Sequence, residues 1–312
     1  MSTEIEAVVE KSGRTTAPAR KLNSIVSSMS GAEIEIEADE KDHVSVVCGS
    51  GKFVFFGLPA SEFPEMETSE VTNTVSIKEN IIKKMIGYVN YAVSVEDSRK
   101  VLTGVLMDIR DNNMTLVATD GKRMSTQTGT PENIEGGDIS VIIPLRAINE
   151  VRRVAESENT MTLEIGRNRL VFKGNDFELS TKLIEGNYPD YRKIVPEAFK
   201  TEIEIPTALF KSRLQMVSIL LPDASRCVVL GFSNGKLDIS ASSSEVGEGR
   251  DSIEINYSGE SFNISFNPQF LLDPLAVMEN ETVKLKINDP FVQVMMEGDA
   301  GFNCIIMPIR KM

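Results

Sequence analysis

The only histidine, His43, sits in the stretch DEKDHVSVV, and it is the first residue to test for chemistry. An imidazole acts as general base or metal ligand beside a nucleophile or a second ligand. Nothing around His43 marks either, so it reads as a surface residue at a strand start. The carboxylate pairs Asp39/Glu40 and Asp108/Asp111 are spaced to share magnesium, as a metal-dependent nuclease would need. On an acidic chain such pairs read more simply as solvated surface. Cys48, Cys227 and Cys304 lie far apart with no CxxC, which fits neither a disulfide framework nor a zinc site and suits a reducing cytoplasm. Met295, Met296 and Met307 read as strand core. The sequence holds no phosphate-cradling G-x-x-x-x-G-K-[ST], no G-x-G-x-x-G after a strand, and no paired-histidine motif. The expectation is a binding protein, not an enzyme, with no cofactor and no metal.

The elements that would position a binding surface repeat along the chain. Five amphipathic helices are predicted, starting near Pro18, Ile77, Pro144, Pro206 and Pro268, with spacings of 59, 67, 62 and 62 residues. Leu22, Ile25, Val26 and Met29 recur at i, i+3, i+4, i+7, as do Ile82, Met85, Ile86 and Val89. Four of the starts place proline in the first helical turn, where its missing N–H is harmless, whereas Pro274 should kink the fifth helix. Between helices the period falls to two, in runs such as AEIEIEA, HVSVVC, KFVFFGL, MTLEIG, RLVFKG, FELSTKL, KLDISAS, VKLKI and FVQVMME, punctuated by glycine turns. Each unit is one helix plus about four strands, which favours antiparallel meanders with helices on one face over a parallel sheet.

The units alternate between two types, so a full domain is about 125 residues. Five half-units are present where three domains need six, and the sixth helix would start some 44 residues before Met1. On this count the first domain lacks its opening half, and residues 3–12 (TEIEAVVEKS) read as that half's last strand. The expected division is 1–70, 71–198 and 199–312.

Net charge is −13, which at face value disfavours a polyanionic partner. The five helical stretches nevertheless carry ten bases against five acids, so the rest of the chain holds −18. Helices collected on one side of the sheets would make a cationic wall suited to holding a nucleic-acid backbone without reading bases. The plain alternative is that helices carry Lys and Arg on wet faces. No apolar run is long enough for a membrane span, and the N-terminus lacks the pattern of a signal peptide.

Several segments then resemble one family. LVATDGKRMS (116–125), GNYPDYRKIVP (186–196) and IIMPIRKM (305–312) closely resemble signature stretches of the bacterial DNA polymerase III β subunit, with TTAPARKL, LPASEFPEM, VLTGVLM and YSGESFNISFNPQFLLDPL matching in order. The resemblance covers essentially the whole chain. It implies an α+β DNA clamp fold of tandem domains, antiparallel sheets outside and helices lining one concave face. It also implies a cytoplasmic homodimeric ring that encircles duplex DNA without sequence preference. The implied partners are the replicative polymerase, a clamp loader and other proteins carrying a clamp-binding peptide.

Carried onto this sequence, the peptide pocket would comprise Leu102, Thr119, Gly121, Lys122, Arg123, Met124, Pro189, Ile194, Asn267, Phe270, Ile305, Met307, Pro308, Ile309 and Arg310. Leu102, Met124, Ile194, Ile305 and Met307 would form an adaptable apolar groove, and Arg123 would fix a peptide carboxylate or carbonyl. DNA-facing residues would be Lys83, Lys84, Lys100, Arg146, Arg152, Arg153, Lys211 and Arg213. At the subunit contact, Phe53 and Phe55 would meet Ile219 and Leu220 of the second copy, and Arg20 and Lys21 would pair with its Glu245 and Glu248. Core packing is the plain reading of Phe53 and Phe55. Three features depart from the family: Lys122 stands where histidine is usual, Lys193 follows Arg192 where a second arginine is common, and the tail is one residue longer, ending Arg310-Lys311-Met312. If the incomplete first domain prevents closure, the same pocket would belong to a monomeric, partner-binding fragment.

Overall fold

The computed structural model describes residues 1–30, 33–64, 70–156, 158–221 and 227–310; Lys311, Met312 and the end of the LPASEFPEM stretch lie outside them. The chain divides into two compact units, Glu4–Thr68 and Met1–Thr3 with Ser69–Met312.

All five predicted helices form: α1 (Ala19–Ser28), α2 (Glu79–Val89), α3 (Leu145–Val154), α4 (Thr207–Ser218) and α5 (Pro268–Val277). The prolines act differently from the expectation. Pro18, Pro144 and Pro206 are N-caps in extended conformation, and Pro144 and Pro206 also end the preceding strands. A ring-locked φ near −60° suits both the end of a strand and the entry to a helix, so one residue makes the corner. Only Pro268 sits at the first helical position, after Asn267, whose side chain accepts from Gln269 N at 3.0 Å. Helix α5 runs through Pro274 without a break in its assignment.

In the smaller unit a three-stranded antiparallel sheet (Glu35–Ala38, His43–Cys48, Gly51–Phe56) buries Val44, Val46 and Phe55 against Leu22, Ile25, Val26 and Met29 of α1. Residues 4–12 are not the expected strand. Only Ser2–Thr3 pair, with Phe177–Glu178, and Ile5, Val8 and Val9 are exposed. Without a partner strand among the described residues, the alternating pattern of EIEAVV has no ladder to join.

In the larger unit every ladder is antiparallel. A six-stranded sheet runs in the order Ser2–Thr3, Phe177–Lys182, Arg169–Lys173, Thr160–Gly166, Val71–Lys78, Asn133–Glu135. A four-stranded sheet joins Gly247–Glu254, Lys236–Ser243, Val228–Ser233 and Phe262–Phe266. Between them lies an eight-stranded sheet: Ile139–Pro144, Gly104–Arg110, Asn113–Thr119, Arg123–Gly129, Phe302–Ile306, Val294–Glu297, Thr282–Ile287 and Thr201–Pro206. Its seam, where Met124 faces Ile305, joins the repeat that begins at residue 71 to the last one.

This central sheet is apolar on both faces, so its inner strands lack clean alternation. On one face Val105, Met107, Ile109, Leu116, Leu285, Met296 and Phe302 pack with Ile82, Ile86, Ile148, Val151, Phe210, Leu214, Leu271 and Leu275 of α2–α5 in a single core. Each such side chain stabilises the fold by about 1.5–3 kcal/mol on burial. On the other face Leu106, Val117, Met124, Ile142, Met295 and Ile305 are covered by residues 184–199 through Ile184, Tyr188, Tyr191, Ile194, Val195 and Phe199. No helix of the described residues is long and apolar enough to cross a membrane.

Candidate partner-docking site and cationic helix face

The turn TDGKR builds one edge of the site on the outer face of the central sheet. The Asp120 carboxylate accepts from the backbone N–H groups of Lys122 (2.8 Å) and Arg123 (3.0 Å), and Thr119 Oγ1 donates to Arg123 O at 2.6 Å. Gly121 has φ +86°, a conformation glycine adopts without cost. This local chemistry turns the chain tightly enough to launch Arg123 and Met124 into the next strand.

Arg123 does not point outward to a ligand, as the sequence suggested. Its side chain is 10% exposed and three of its nitrogens are engaged, with Asp120 (3.1 Å), with Asp273 of α5 and with Tyr91 O (2.9 Å). The guanidinium lies over the rings of Phe270 (4.6 Å) and Tyr91 (5.4 Å). Two carboxylates and two ring faces satisfy a buried cation here, so Arg123 ties the turn to α5. Beside this knot Cys304 is fully buried and its thiol is pushed up to about 12 by burial, which leaves it unreactive near neutrality.

A second buried charge holds the covering segment. Asp108, 4% exposed, was read from the sequence as half of a solvated pair; it instead accepts from Ser140, Tyr191 OH (2.9 Å), Arg192 and Arg110 Nε (3.2 Å). Burial works against its charge, but the hydrogen bonds from Ser140, Tyr191 and Arg110 and the charge of Arg192 outweigh it and hold the carboxyl below the ordinary carboxylate value. Tyr191 and Arg192 lie between Pro189 and Ile194, so the anchor fixes two of the residues expected to line the pocket. Asp111 is a positive-φ turn residue.

The expected groove residues separate by depth. Leu102, Met124, Ile305 and Thr119 are buried, Ile194, Asn267, Phe270 and Pro308 are half-buried, and Pro189, Gly121, Lys122, Met307, Ile309 and Arg310 are exposed. The tail carrying the last three is strapped down: Met307 N donates to Lys122 O (2.9 Å) and Ile309 N to Ser265 O (2.7 Å). The sequence reading missed Phe291 and Val292, exposed apolar residues beside the tail, where Arg310 donates to Phe291 O at 3.4 Å. Their signal was faint, since FVQVMME read as one strand but only Val294–Glu297 forms one.

On the helix face, Lys83 pairs with Glu156 (3.3 Å), Lys84 with Glu279 (2.6 Å) and Arg153 with Glu150 (2.8 Å), all at accessible positions. Arg146 and Arg152 are exposed, and Arg152 lies across α2 at Gly87. Lys211 is half-buried, and Arg213 of α4 turns to Asp251 of the four-stranded sheet at 3.1 Å. Lys100 is not on a cationic helix; it lies in the 3-10 segment Asp97–Thr103. Of the expected subunit contacts, Ile219 is 81% exposed, Leu220 half-buried, and Glu245, Glu248, Arg20 and Lys21 exposed. Phe55 is buried in its own unit, as the plain reading has it, whereas Phe53 is 40% exposed. His43 shares a hydrogen bond with Asp39 (3.0 Å) in a local turn. Among the described residues no cluster of three or more His, Cys, Asp or Glu could hold a metal ion.

This architecture matches known proteins along its length. Family profiles for the DNA polymerase III beta subunit match in series: the N-terminal domain over residues 1–67, the central domain over 76–190 and the C-terminal domain over 192–310. The beta sliding clamp of Chlamydia muridarum is 30% identical over 309 residues, covering 98% of this chain and 84% of that one. The chain belongs to the bacterial beta sliding clamp family. The beta sliding clamp of Escherichia coli K12 is 29% identical, covering 96% of this chain and 82% of that one. Among solved structures, the DNA polymerase sliding clamp from Bacillus subtilis superposes with a TM-score of 0.91 at 25% identity, over 98% of this chain and 82% of that one. The DNA polymerase III subunit beta from Pseudomonas aeruginosa gives 0.90 at 26%, over 97% and 85%. The clamp fold implied by the resemblance is thus the fold found. Because the N-terminal-domain profile matches residues 1–67, the expectation of an absent opening half-unit finds no support in these matches.

Proposed function

We propose that this family member works as a DNA sliding clamp, a processivity factor that encircles duplex DNA as a homodimer and tethers the replicative polymerase and other partners by a docked peptide. The observation that carries this reading is the division of labour on the central sheet. Four helices pack on one face, two of them bearing the accessible cations Lys83, Lys84, Arg146, Arg152 and Arg153, and Met307, Ile309 and the segment anchored at Asp108 lie on the other. Accessible cations on flexible stems attract phosphates without fixing a register, as sliding requires. Such an assembly needs a loader to open it. The three-domain division at residues 70 and 198 and the contact of Phe53, Arg20 and Lys21 with Ile219, Leu220, Glu245 and Glu248 of a second copy belong to the same proposal.

The test is topological. Loaded onto nicked circular DNA the protein should remain bound, and linearising that DNA should release it quickly. Equal lifetimes on circular DNA and on a short duplex with free ends would refute encirclement. Sedimentation at micromolar concentration checks the dimer; a monomer there would favour the partner-binding fragment.

A further inference from the structure

Around the docking site, the exposed apolar residues and the charges beside them are arranged unevenly. Phe291 (61% exposed), Met307 (41%), Ile309 (39%) and Val292 (36%) present open hydrophobic surface. Hydrogen bonds to backbone carbonyls fix their neighbours: Met307 N donates to Lys122 O, the Arg310 side chain to Phe291 O, and Gln293 Nε2 to Ile194 O at 3.3 Å, next to Lys193. On the other side Arg99 donates to Asp120 O (3.2 Å) and its guanidinium occupies the space that a Cβ at Gly121 would fill.

The apolar surface is therefore bordered by Arg99, Lys122, Lys193 and Arg310, all exposed. The carboxylates close by are mostly committed elsewhere: Asp120 and Asp273 to Arg123, Asp108 to Arg192 and Arg110, and Asp289 to the Phe291 N–H. Only Lys193 has a carboxylate partner, the exposed Asp190 at 3.2 Å; among the described residues Arg99, Lys122 and Arg310 have none within 4.0 Å. A chain of net charge −13 thus sets beside this apolar surface a cationic border in which three of four members have no carboxylate partner among the described residues.

Building on the docking-site reading, we propose that this border selects partner segments whose apolar anchors are flanked by Asp or Glu. Burial of the anchors supplies the affinity, which is not selective for charge. The border adds a screened attraction that acts chiefly on the association rate and on the choice among partners.

The probe is a fluorescent peptide carrying the clamp-docking segment of the replicative polymerase from the same organism. It is made in three versions, with flanking residues Glu, Gln or Lys, and titrated against the full chain. In low salt the Glu version should bind roughly tenfold tighter than the Gln version, the Lys version should bind weakest, and half-molar salt should erase the differences. In the triple variant Arg99→Gln, Lys122→Gln, Arg310→Gln the Glu-to-Gln ratio should fall to about one, whatever the absolute affinity. A second variant, Met307→Asp, reports on the docking surface itself and should weaken all three versions. Equal binding of all versions to the unaltered protein, with Met307→Asp still damaging, would overturn the charge selection and leave the docking site standing. Unchanged binding by Met307→Asp would overturn both. If the Glu version binds the unaltered protein no tighter than the Gln version while a short single-stranded oligonucleotide displaces both, the border serves nucleic acid and the proposal fails.

Discussion

The two faces of the central sheet are built by different means. On one, regular helices press apolar side chains into the common core and leave cations on long, accessible stems, three of them in loose pairs with glutamates. On the other, buried Asp108 pins an irregular segment and buried Arg123 ties the adjoining turn to α5, each satisfied from several directions. A face that must hold a polyanion while letting it move gains from weak, interchangeable contacts. A face that must present one shape to a peptide gains from fixed ones, and the fixing is done by groups that the partner never needs to touch.

The comparison can be broken at its strongest point by Phe210→Ala. This fully buried α4 ring anchors the helical side, and its loss should cost about 3–5 kcal/mol, read by denaturant unfolding. Arg123→Ala should come next, at about 3 kcal/mol, because it removes the one cation that Asp120 and Asp273 share in a largely buried knot. It should also weaken peptide docking, whereas an Arg123 that served only to grip ligand would leave the melting temperature unchanged.

Asp108→Asn should cost about 2 kcal/mol and loosen residues 188–195 while leaving retention on circular DNA intact. The native carboxyl is held below its ordinary value, so its contribution is present above the unfolded pKa and is lost as pH falls through the native one. The variant should therefore flatten the decline of stability below about pH 4. An acid limb identical to the parent's would show that the anchor is not charged. The smallest effect belongs to the helix face: Lys83→Gln or Arg153→Gln should change stability by less than about 1 kcal/mol. Each should still lower the salt slope of DNA binding by about 0.9 for every phosphate contact removed.

Much of this was legible in the residue pattern because it is local. Leu22, Ile25, Val26 and Met29 announce α1, and the prolines mark helix entries even though three of them cap the helix and do not begin it. The two charged anchors were misread because their partners are remote: Arg123 meets Asp273 across 150 positions and Asp108 meets Arg192 across 84. Nothing in TDGKR or VLMDIR distinguishes an inward-facing charge from a solvated one until the sheet brings those partners together. Residues 4–12 failed for the opposite reason, since an alternating pattern is only a capacity for pairing.

The seam at Met124 and Ile305 carries a further implication for cooperativity. A backbone ladder and a common core pass through it without a break, so the two repeats on either side have no independent way to melt. Calorimetry of this unit should therefore show one endotherm, with matching calorimetric and van't Hoff enthalpies. An insertion near the seam should weaken both repeats together.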